Sequence, residues 1–150
     1  MRTAEKLLNE QIVSQIREFF IQLDQPVEVL FFGKKTGCDY CDDTVQLLRE
    51  VTEISDKLSL QELDIEDDAV LAQQYNVDKT PGIVIARKDG DQIVDYGIRF
   101  AGIPSGHEFT SLIQDILLVS SRNSGLDEET RSFIKDLKQP VLLQVFVTPT

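Results

Sequence analysis

The sequence predicts an α/β fold with a central four-stranded mixed sheet flanked by helices. Short β-rich apolar runs alternate with segments whose apolar residues recur at helical spacing. From Val27 onward, these segments follow the order β-α-β-α-β-β-α. That order is typical of a mixed sheet with helices on both faces. A close pair, Cys38 and Cys41, lies where the first strand meets the next helix.

Each element has its own signal in the sequence. The first 23 residues predict an extra N-terminal helix, which Pro26 ends because a proline ring cannot continue a helix. Residues 88–91 predict a hairpin turn, since Asp-Gly accepts the positive φ that such turns need. Ser105 and Glu108 predict a capping box at the start of the last helix. The remaining predicted elements are strands over 27–32, 58–65, 82–86 and 93–100 and helices over 39–56 and 67–75.

The composition limits the classes of partner. The chain is 41% hydrophobic and 27% charged, which is ordinary for a globular protein, and its formal net charge is −11. So acidic a surface repels phosphate, which argues against nucleic-acid and anionic-membrane partners. No apolar run is long enough to span a membrane. The first residues lack a secretory signal, so we expect a cytoplasmic location, where close cysteine pairs are more often redox-active or metal-binding than structural.

The chain end carries a partial internal repeat. Residues 131–141 match residues 17–27 in Arg, Phe, Leu, Gln, Pro and Val at one constant offset. Fixed-offset similarity implies a repeated structural unit. We therefore predict a redox domain over 1–122, a linker over 123–126, and a helix and strand over 127–150 that begin an incomplete second unit. The chain is expected to be a fragment of a two-unit protein, although a degenerate stub is the alternative.

The predicted strand of this tail is expected to lack a stable fold of its own. So short a segment buries too little apolar surface to build a core. Residues 141–147 are apolar and would form an exposed edge strand. We expect the strand to be disordered, pinned to the first unit, or paired with a second chain in a homodimer.

The sequence Cys38-Asp39-Tyr40-Cys41 predicts a thiol–disulfide redox site. Cys38 is expected at a helix N-terminus, where free backbone amides and the helix dipole favour a thiolate, the nucleophilic form. Lys34 and Lys35 would help if they fold near the sulfur, and Asp39 would oppose them. Cys41, three residues on, is placed to attack a mixed disulfide formed at Cys38.

Other interpretations of the pair remain open. Half of a structural zinc site is one, although zinc needs about four ligands and only His107 and acidic residues remain to supply them. Two inert core cysteines, or an iron–sulfur or glutathione-linked site, are others. No metal or other cofactor is expected. His107 itself is expected to be solvated, and residues 64–68, an acidic run, to end a strand and cap the next helix.

Thr80-Pro81 is the second part of the predicted site. A proline just before a strand and after a short helix is a candidate for a cis bond. A cis turn would present the Thr80 backbone to an extended substrate segment. Asp39, Tyr40, Thr80 and Pro81 are therefore the candidate substrate-binding residues. Phe31 and Phe32 are expected in the core.

These landmarks resemble those of the tandem thioredoxin-fold protein disulfide oxidoreductases, also called glutaredoxin-like proteins. The resemblance rests on residues 38–41, on Thr80-Pro81 and on the long stretch 97–109, GIRFAGIPSGHEF. The family is similar to protein disulfide isomerases and to the N-terminal domain of alkyl hydroperoxide reductase flavoproteins. The closing residues 145–150 also resemble the approach to the family's second C-x-x-C.

The resemblance implies a thioredoxin fold and a protein-disulfide oxidoreductase. It makes Cys38 the exposed nucleophile, Cys41 the resolving thiol and Pro81 the cis-proline. It implies protein disulfides or dithiols as substrates and a flavoprotein similar to thioredoxin reductase as electron source. The chain departs from the family in lacking a second pair, so the first unit is alternatively a substrate-docking or structural unit. It departs from thioredoxins in having Phe32 where they carry a buried acid, with Glu28 on the same strand.

Overall fold

A four-stranded mixed sheet forms the centre of the chain, and its strand order is β2-β1-β3-β4. The computed structural model describes residues 5–148. Strand β1 pairs with β2 in parallel and with β3 antiparallel, and β3 pairs antiparallel with β4. The predicted sheet is thus confirmed. The elements are α1 (Glu10–Phe20), β1 (Val27–Gly33), α2 (Cys41–Thr52), β2 (Leu58–Asp64), α3 (Ala69–Gln74), β3 (Gly82–Asp89), β4 (Gln92–Ala101), α4 (His107–Ser121) and α5 (Glu128–Lys135).

Strand β1 is buried along its whole length because helices cover both faces of the sheet. Successive strand side chains point to opposite faces. Val27, Val29 and Phe31 pack with buried residues of α1, α2 and α4. Leu30 and Phe32 pack instead with Ala72 of α3 and the neighbouring Tyr75. Phe31 and Phe32 are therefore both core residues, as expected, but they belong to opposite faces.

Helix α1 is shorter than the sequence predicts. It begins at Glu10, because the Asn9 side chain accepts a hydrogen bond from the Ile12 N–H at 2.9 Å and so caps the first turn. Residues 1–4 of the predicted helix lie outside the described part of the chain. Phe20 faces the core, whereas Phe19 is 52% exposed.

The loop before α4 does not form the predicted capping box. Gly106, with φ 62°, takes the cap position, and its cap has no side-chain hydrogen bond. The backbone N–H of Ser105 donates to the Ile103 carbonyl at 3.0 Å. The positive φ at Gly106 redirects the chain between Ser105 and the helix, so the hydroxyl does not occupy the N-cap. The hairpin prediction is confirmed, since Gly90 has φ 60° and Asp89 pairs with Gln92.

The tail forms the predicted helix but not the predicted strand. Asp127 caps α5 by accepting from the Thr130 N–H at 2.7 Å. Residues 141–148 have no regular secondary structure, and Phe146 is 88% exposed. A strand needs a neighbour for its N–H and C=O groups, and neither β2 nor β4 pairs with this segment, so a strand paired with a second chain stays a prediction. Residues 149–150 of the prediction lie outside the described residues.

A membrane span needs a helix of sufficient length and apolar character. Among residues 5–148, no helix is both long enough and apolar enough to cross a bilayer.

Candidate redox site

The cysteine pair lies where β1 passes into α2. Strand β1 ends at Gly33, a loop follows, and α2 begins at Cys41 itself, two residues later than predicted. Cys38 therefore sits in the loop before the helix, and Tyr40 holds the N-cap position. Cys38 and Cys41 form a disulfide with their Cα atoms 5.5 Å apart. Over the described residues, this structure leaves no cysteine unpaired.

The two sulfurs have different surroundings. Cys41 is only 6% exposed and packs with the core beneath α2. Cys38 is half-buried and packs at the edge of the same cluster. An incoming disulfide therefore has better access to Cys38 than to Cys41. This asymmetry is what an attacking and a resolving thiol require.

The first turn of α2 has free amide groups facing the loop. The N–H groups of a helix's first turn have no intrahelical acceptor, and at α2 no side chain caps them. Buried Thr44 fixes the turn from below: its hydroxyl and its N–H both donate to the Tyr40 carbonyl, at 2.6 and 3.0 Å. The free amides and the helix dipole favour a thiolate at Cys38. Asp42 and Asp43, also in that turn, offset part of this effect.

The nearby lysines are engaged elsewhere. Lys34 forms an ion pair with Glu66 at 3.0 Å, and Lys35 forms one with Asp67. The hydrogen bond to Asp67 raises the pKa of Lys35. The structure therefore directs both charges toward the end of β2 and the turn after it. Stabilisation of a Cys38 thiolate rests on the helix N-terminus instead.

The acid on β1 does not serve the cysteines. Glu28 is 3% exposed and accepts hydrogen bonds from Lys88 at 3.0 Å and from Ser59. It lies five residues before Gly33, which is about 16 Å along a strand. It also points to the face opposite Phe31 and Cys41. Glu28 is thus part of a buried network at the far end of the sheet.

The Thr80–Pro81 peptide bond is cis, in agreement with the prediction. Phe32 pairs with Gly82 in the sheet, so Pro81 lies at the same sheet end as the cysteine loop. The Pro81 carbonyl is occupied, since the Gly102 N–H donates to it at 2.8 Å. Pro81 is buried and Thr80 half-buried. The topology therefore brings this turn and the cysteine pair to one edge.

Among the described residues, His107 and the acidic run 64–68 lie in surroundings that do not form a metal site. His107 is exposed at the start of α4, where it lines a surface pocket with Glu108, Phe146, Val147 and Thr148. The Asp64 carboxylate accepts from the N–H groups of Asp67 and Glu66, at 3.1 and 2.8 Å, and these bonds lower its pKa. Within the described range 5–148, no group of three or more His, Cys, Asp or Glu residues is arranged to hold a metal ion.

Sequence reasoning overlooked two residues that touch the cysteine region. The Thr44 hydroxyl donates a hydrogen bond to the Tyr40 carbonyl beneath the loop. Its position three residues after Cys41, on the same helix face, is the sequence feature that could have indicated this contact. Gly33 is the other: a Cβ on it would lie 3.6 Å from the Cys41 sulfur. A glycine that ends a buried strand was the only hint.

Two curated relatives of the chain are the same kind of enzyme. The chain is 29% identical over 144 residues to the alkyl hydroperoxide reductase AhpF of Staphylococcus epidermidis, covering 96% of this chain and 25% of that protein. It is 26% identical over 132 residues to AhpF of Pseudomonas aeruginosa, covering 88% and 22%. The chain thus spans about a quarter of the length of these relatives. No protein-family model matches it.

Solved structures that resemble this chain include proteins of the same kind. A protein disulfide oxidoreductase from Aeropyrum pernix is 30% identical, with a TM-score of 0.75 over 87% of this chain and 55% of that one. The alkyl hydroperoxide reductase AhpF of Enterococcus faecalis is 25% identical, with a TM-score of 0.76 over 87% of this chain and 61% of that one.

Together with the C-x-x-C disulfide, these likenesses confirm the predicted resemblance and the predicted fold. The sheet order, the helices on both faces and the cis-proline turn are all present in the described residues. The chain has a thioredoxin fold and is similar to a protein disulfide oxidoreductase and to part of the alkyl hydroperoxide reductase AhpF, and a C-x-x-C disulfide follows its first strand.

Proposed function

We propose that this chain is a protein thiol–disulfide oxidoreductase unit that works through a mixed disulfide at Cys38. The observation that carries the proposal is the Cys38–Cys41 disulfide, in which Cys38 is half-buried and Cys41 is buried beside it. The relatives named above are hydroperoxide reductases and a disulfide oxidoreductase, which supports the same chemistry.

The reaction has two exchange steps. In the first, the Cys38 thiolate attacks a substrate disulfide, one substrate sulfur leaves as a thiolate with its electron pair, and a Cys38–substrate disulfide forms. In the second, the Cys41 thiolate attacks the Cys38 sulfur, the mixed disulfide breaks, and the second substrate sulfur leaves. Both leaving thiolates take up protons from water. The pair is oxidised by two electrons and the substrate disulfide is reduced by two.

Substrate contact is proposed to fall on four residues around the pair. Tyr40 is 58% exposed although it is a large aromatic side chain, and Asp39 beside it is exposed. Thr80 and the cis Pro81 lie at the same sheet edge. Backbone groups of the Thr80 turn would pair with an extended substrate strand while Tyr40 covers its side chains.

Partners and location complete the proposal. We propose protein disulfides or dithiols as substrates and a flavoprotein similar to thioredoxin reductase as electron source, because the resemblance implies both. A cytoplasmic setting fits a redox-active pair, since reducing compartments hold few structural disulfides. The exposed apolar segment 141–147 is the surface through which a homodimer would form.

A second candidate function is a docking or structural unit whose cysteines are poorly reactive. One observation favours it: Lys34 and Lys35 are paired with Glu66 and Asp67, so neither charge is free to lower the pKa of Cys38. The only acid on β1, Glu28, lies on the wrong face to assist Cys41. The two candidates differ in the pKa they give to Cys38.

The alkylation rate of reduced protein against pH separates these candidates. We expect iodoacetamide to modify Cys38 with an apparent pKa of about 7.5 or below, because the α2 N-terminus stabilises the thiolate. Mass spectrometry of peptides assigns the label to Cys38 or Cys41, and the urea-unfolded protein supplies the reference of about 8.5. An apparent pKa equal to that of the unfolded protein would favour the docking unit.

A further inference from the structure

Gly33 lies between the Phe31 ring and the Cys41 sulfur, with no side chain of its own. A Cβ built on Gly33 would come within 2.8 Å of both Cε1 and Cζ of Phe31 and within 3.6 Å of the Cys41 Sγ. Real Cβ atoms essentially never come closer than 3.0 Å to another heavy atom, so the first distance requires a shift, whereas the second is ordinary packing. The Phe31 ring thus occupies the volume that any other residue at position 33 would need.

The backbone does not explain this glycine. Gly33 continues the strand conformation of β1 and has no positive φ. A glycine in a strand costs conformational entropy and marks either a bulge or a close approach of another group. The register of β1 with β2 is unbroken through Gly33, so no bulge is present. The close approach of the Phe31 ring beneath Cys41 is the remaining reason.

Both neighbours of Gly33 are held in the packed core. Phe31 and Cys41 are both buried and belong to one packed cluster. The strand is held on its β2 side, where the Ile65 N–H donates to the Gly33 carbonyl at 2.8 Å. Buried cores yield little to added atoms, so a methyl group here must shift the ring, the sulfur or both.

We propose that Gly33 is a positioning residue that keeps the Cys41 sulfur in line for the second exchange step. This inference rests on the proposed function. The first step uses Cys38 alone, which lies in the loop before α2. The second step requires Cys41 Sγ to approach the Cys38 sulfur opposite the leaving substrate sulfur. A misplacement of about 1 Å can cost a reaction roughly a hundredfold, so a shifted Cys41 slows this step specifically.

The test follows the reduced full chain after mixing with 5,5′-dithiobis(2-nitrobenzoate), which reports each step separately. Attack by Cys38 releases one coloured thiolate, and attack by Cys41 on the resulting mixed disulfide releases the second. For Gly33→Ala we expect the first release within about twofold of the unsubstituted protein and the second slowed about tenfold or more. Thermal unfolding monitors the fold in parallel.

The matched control is the double variant Phe31→Leu/Gly33→Ala, with Phe31→Leu alone beside it. Leucine lacks the two ring atoms that meet the new Cβ, and that Cβ then makes only its ordinary 3.6 Å contact with Cys41. We expect both Leu variants to release the second thiolate within about threefold of the unsubstituted protein. If Gly33→Ala alone does not fold, the double variant carries the test.

Three outcomes would overturn the proposal. If both releases are unchanged in Gly33→Ala, Gly33 does not position Cys41. If both releases slow equally, the substitution disturbs the fold and not the second step. A folded double variant that keeps a slow second release removes the link through Phe31. If the unsubstituted protein reacts no faster than its unfolded form, the proposed function itself fails, and that result is distinct from the other three.

Discussion

Replacing Cys38 by serine should reduce the catalysed reduction of insulin disulfides to the rate of dithiothreitol alone. A serine hydroxyl is not ionised near neutral pH, so the helix N-terminus has no anion to stabilise and no nucleophile remains in the loop. Cys41 cannot replace Cys38 because it is 6% exposed beneath α2. The measurement is the turbidity of precipitating insulin B chain with a fixed excess of dithiothreitol.

A control substitution in the same loop separates chemistry from folding. Lys35 is exposed and its ion pair with Asp67 lies at the surface, so Lys35→Ser should leave the rate within about twofold of the unsubstituted protein. Equal thermal unfolding midpoints of the reduced proteins would show that each variant is folded. Normal turnover by Cys38→Ser would exclude this pair as the reaction centre.

Replacing Cys41 by serine should trap the intermediate that Cys38 forms. The first exchange step remains possible, but the intramolecular attack that releases substrate is lost. That attack benefits from the high effective concentration of a neighbouring group, which reaches about 10⁵ M or more in well-oriented systems. We expect a covalent adduct of the variant with insulin on a non-reducing gel, and with oxidised glutathione by intact mass, each formed as Cys38 attacks the disulfide and one thiolate leaves.

The adduct of the Cys41 variant has two diagnostic properties. It should disappear with added dithiothreitol, and the double variant Cys38→Ser/Cys41→Ser should not form it. An equal adduct on the Cys38→Ser protein would reverse the roles of the two thiols. Multiple-turnover insulin reduction without any trapped adduct would show that Cys41 is not needed for release.

Local patterns in the sequence predicted the sheet and the cysteine pair. Residues 27–32 form an uninterrupted apolar strand apart from Glu28, because β1 is central and buried on both faces. The Asp-Gly turn predicted the pairing next to the hairpin, from Asp89–Gln92 to Ala86–Asp95, but not the register shift between Ile85 and Ala86. The spacing of Cys38 and Cys41 and the position of Thr80-Pro81 predicted the cysteine pair and the cis bond that the structure shows.

Features that depend on three-dimensional neighbours were not predictable in the same way. The start of α1 after Asn9 and the failed capping box at Ser105 depend on loop dihedral angles, notably φ 62° at Gly106. The apolar run 141–147 has strand composition, yet it has no partner strand. The fit between Gly33 and Phe31 depends on how one ring packs under Cys41, which no sequence period encodes.

A redox titration shows whether Cys38 and Cys41 act as one redox couple. The protein is equilibrated in glutathione or dithiothreitol buffers of stepped potential, quenched in acid, and its free thiols are counted by mass after labelling. We predict a single two-electron transition with a midpoint between about −270 and −120 mV, the range of known C-x-x-C proteins. A pair that stays oxidised below about −300 mV, as structural disulfides do, or thiols that oxidise independently, would show that Cys38 and Cys41 are not a redox-active couple.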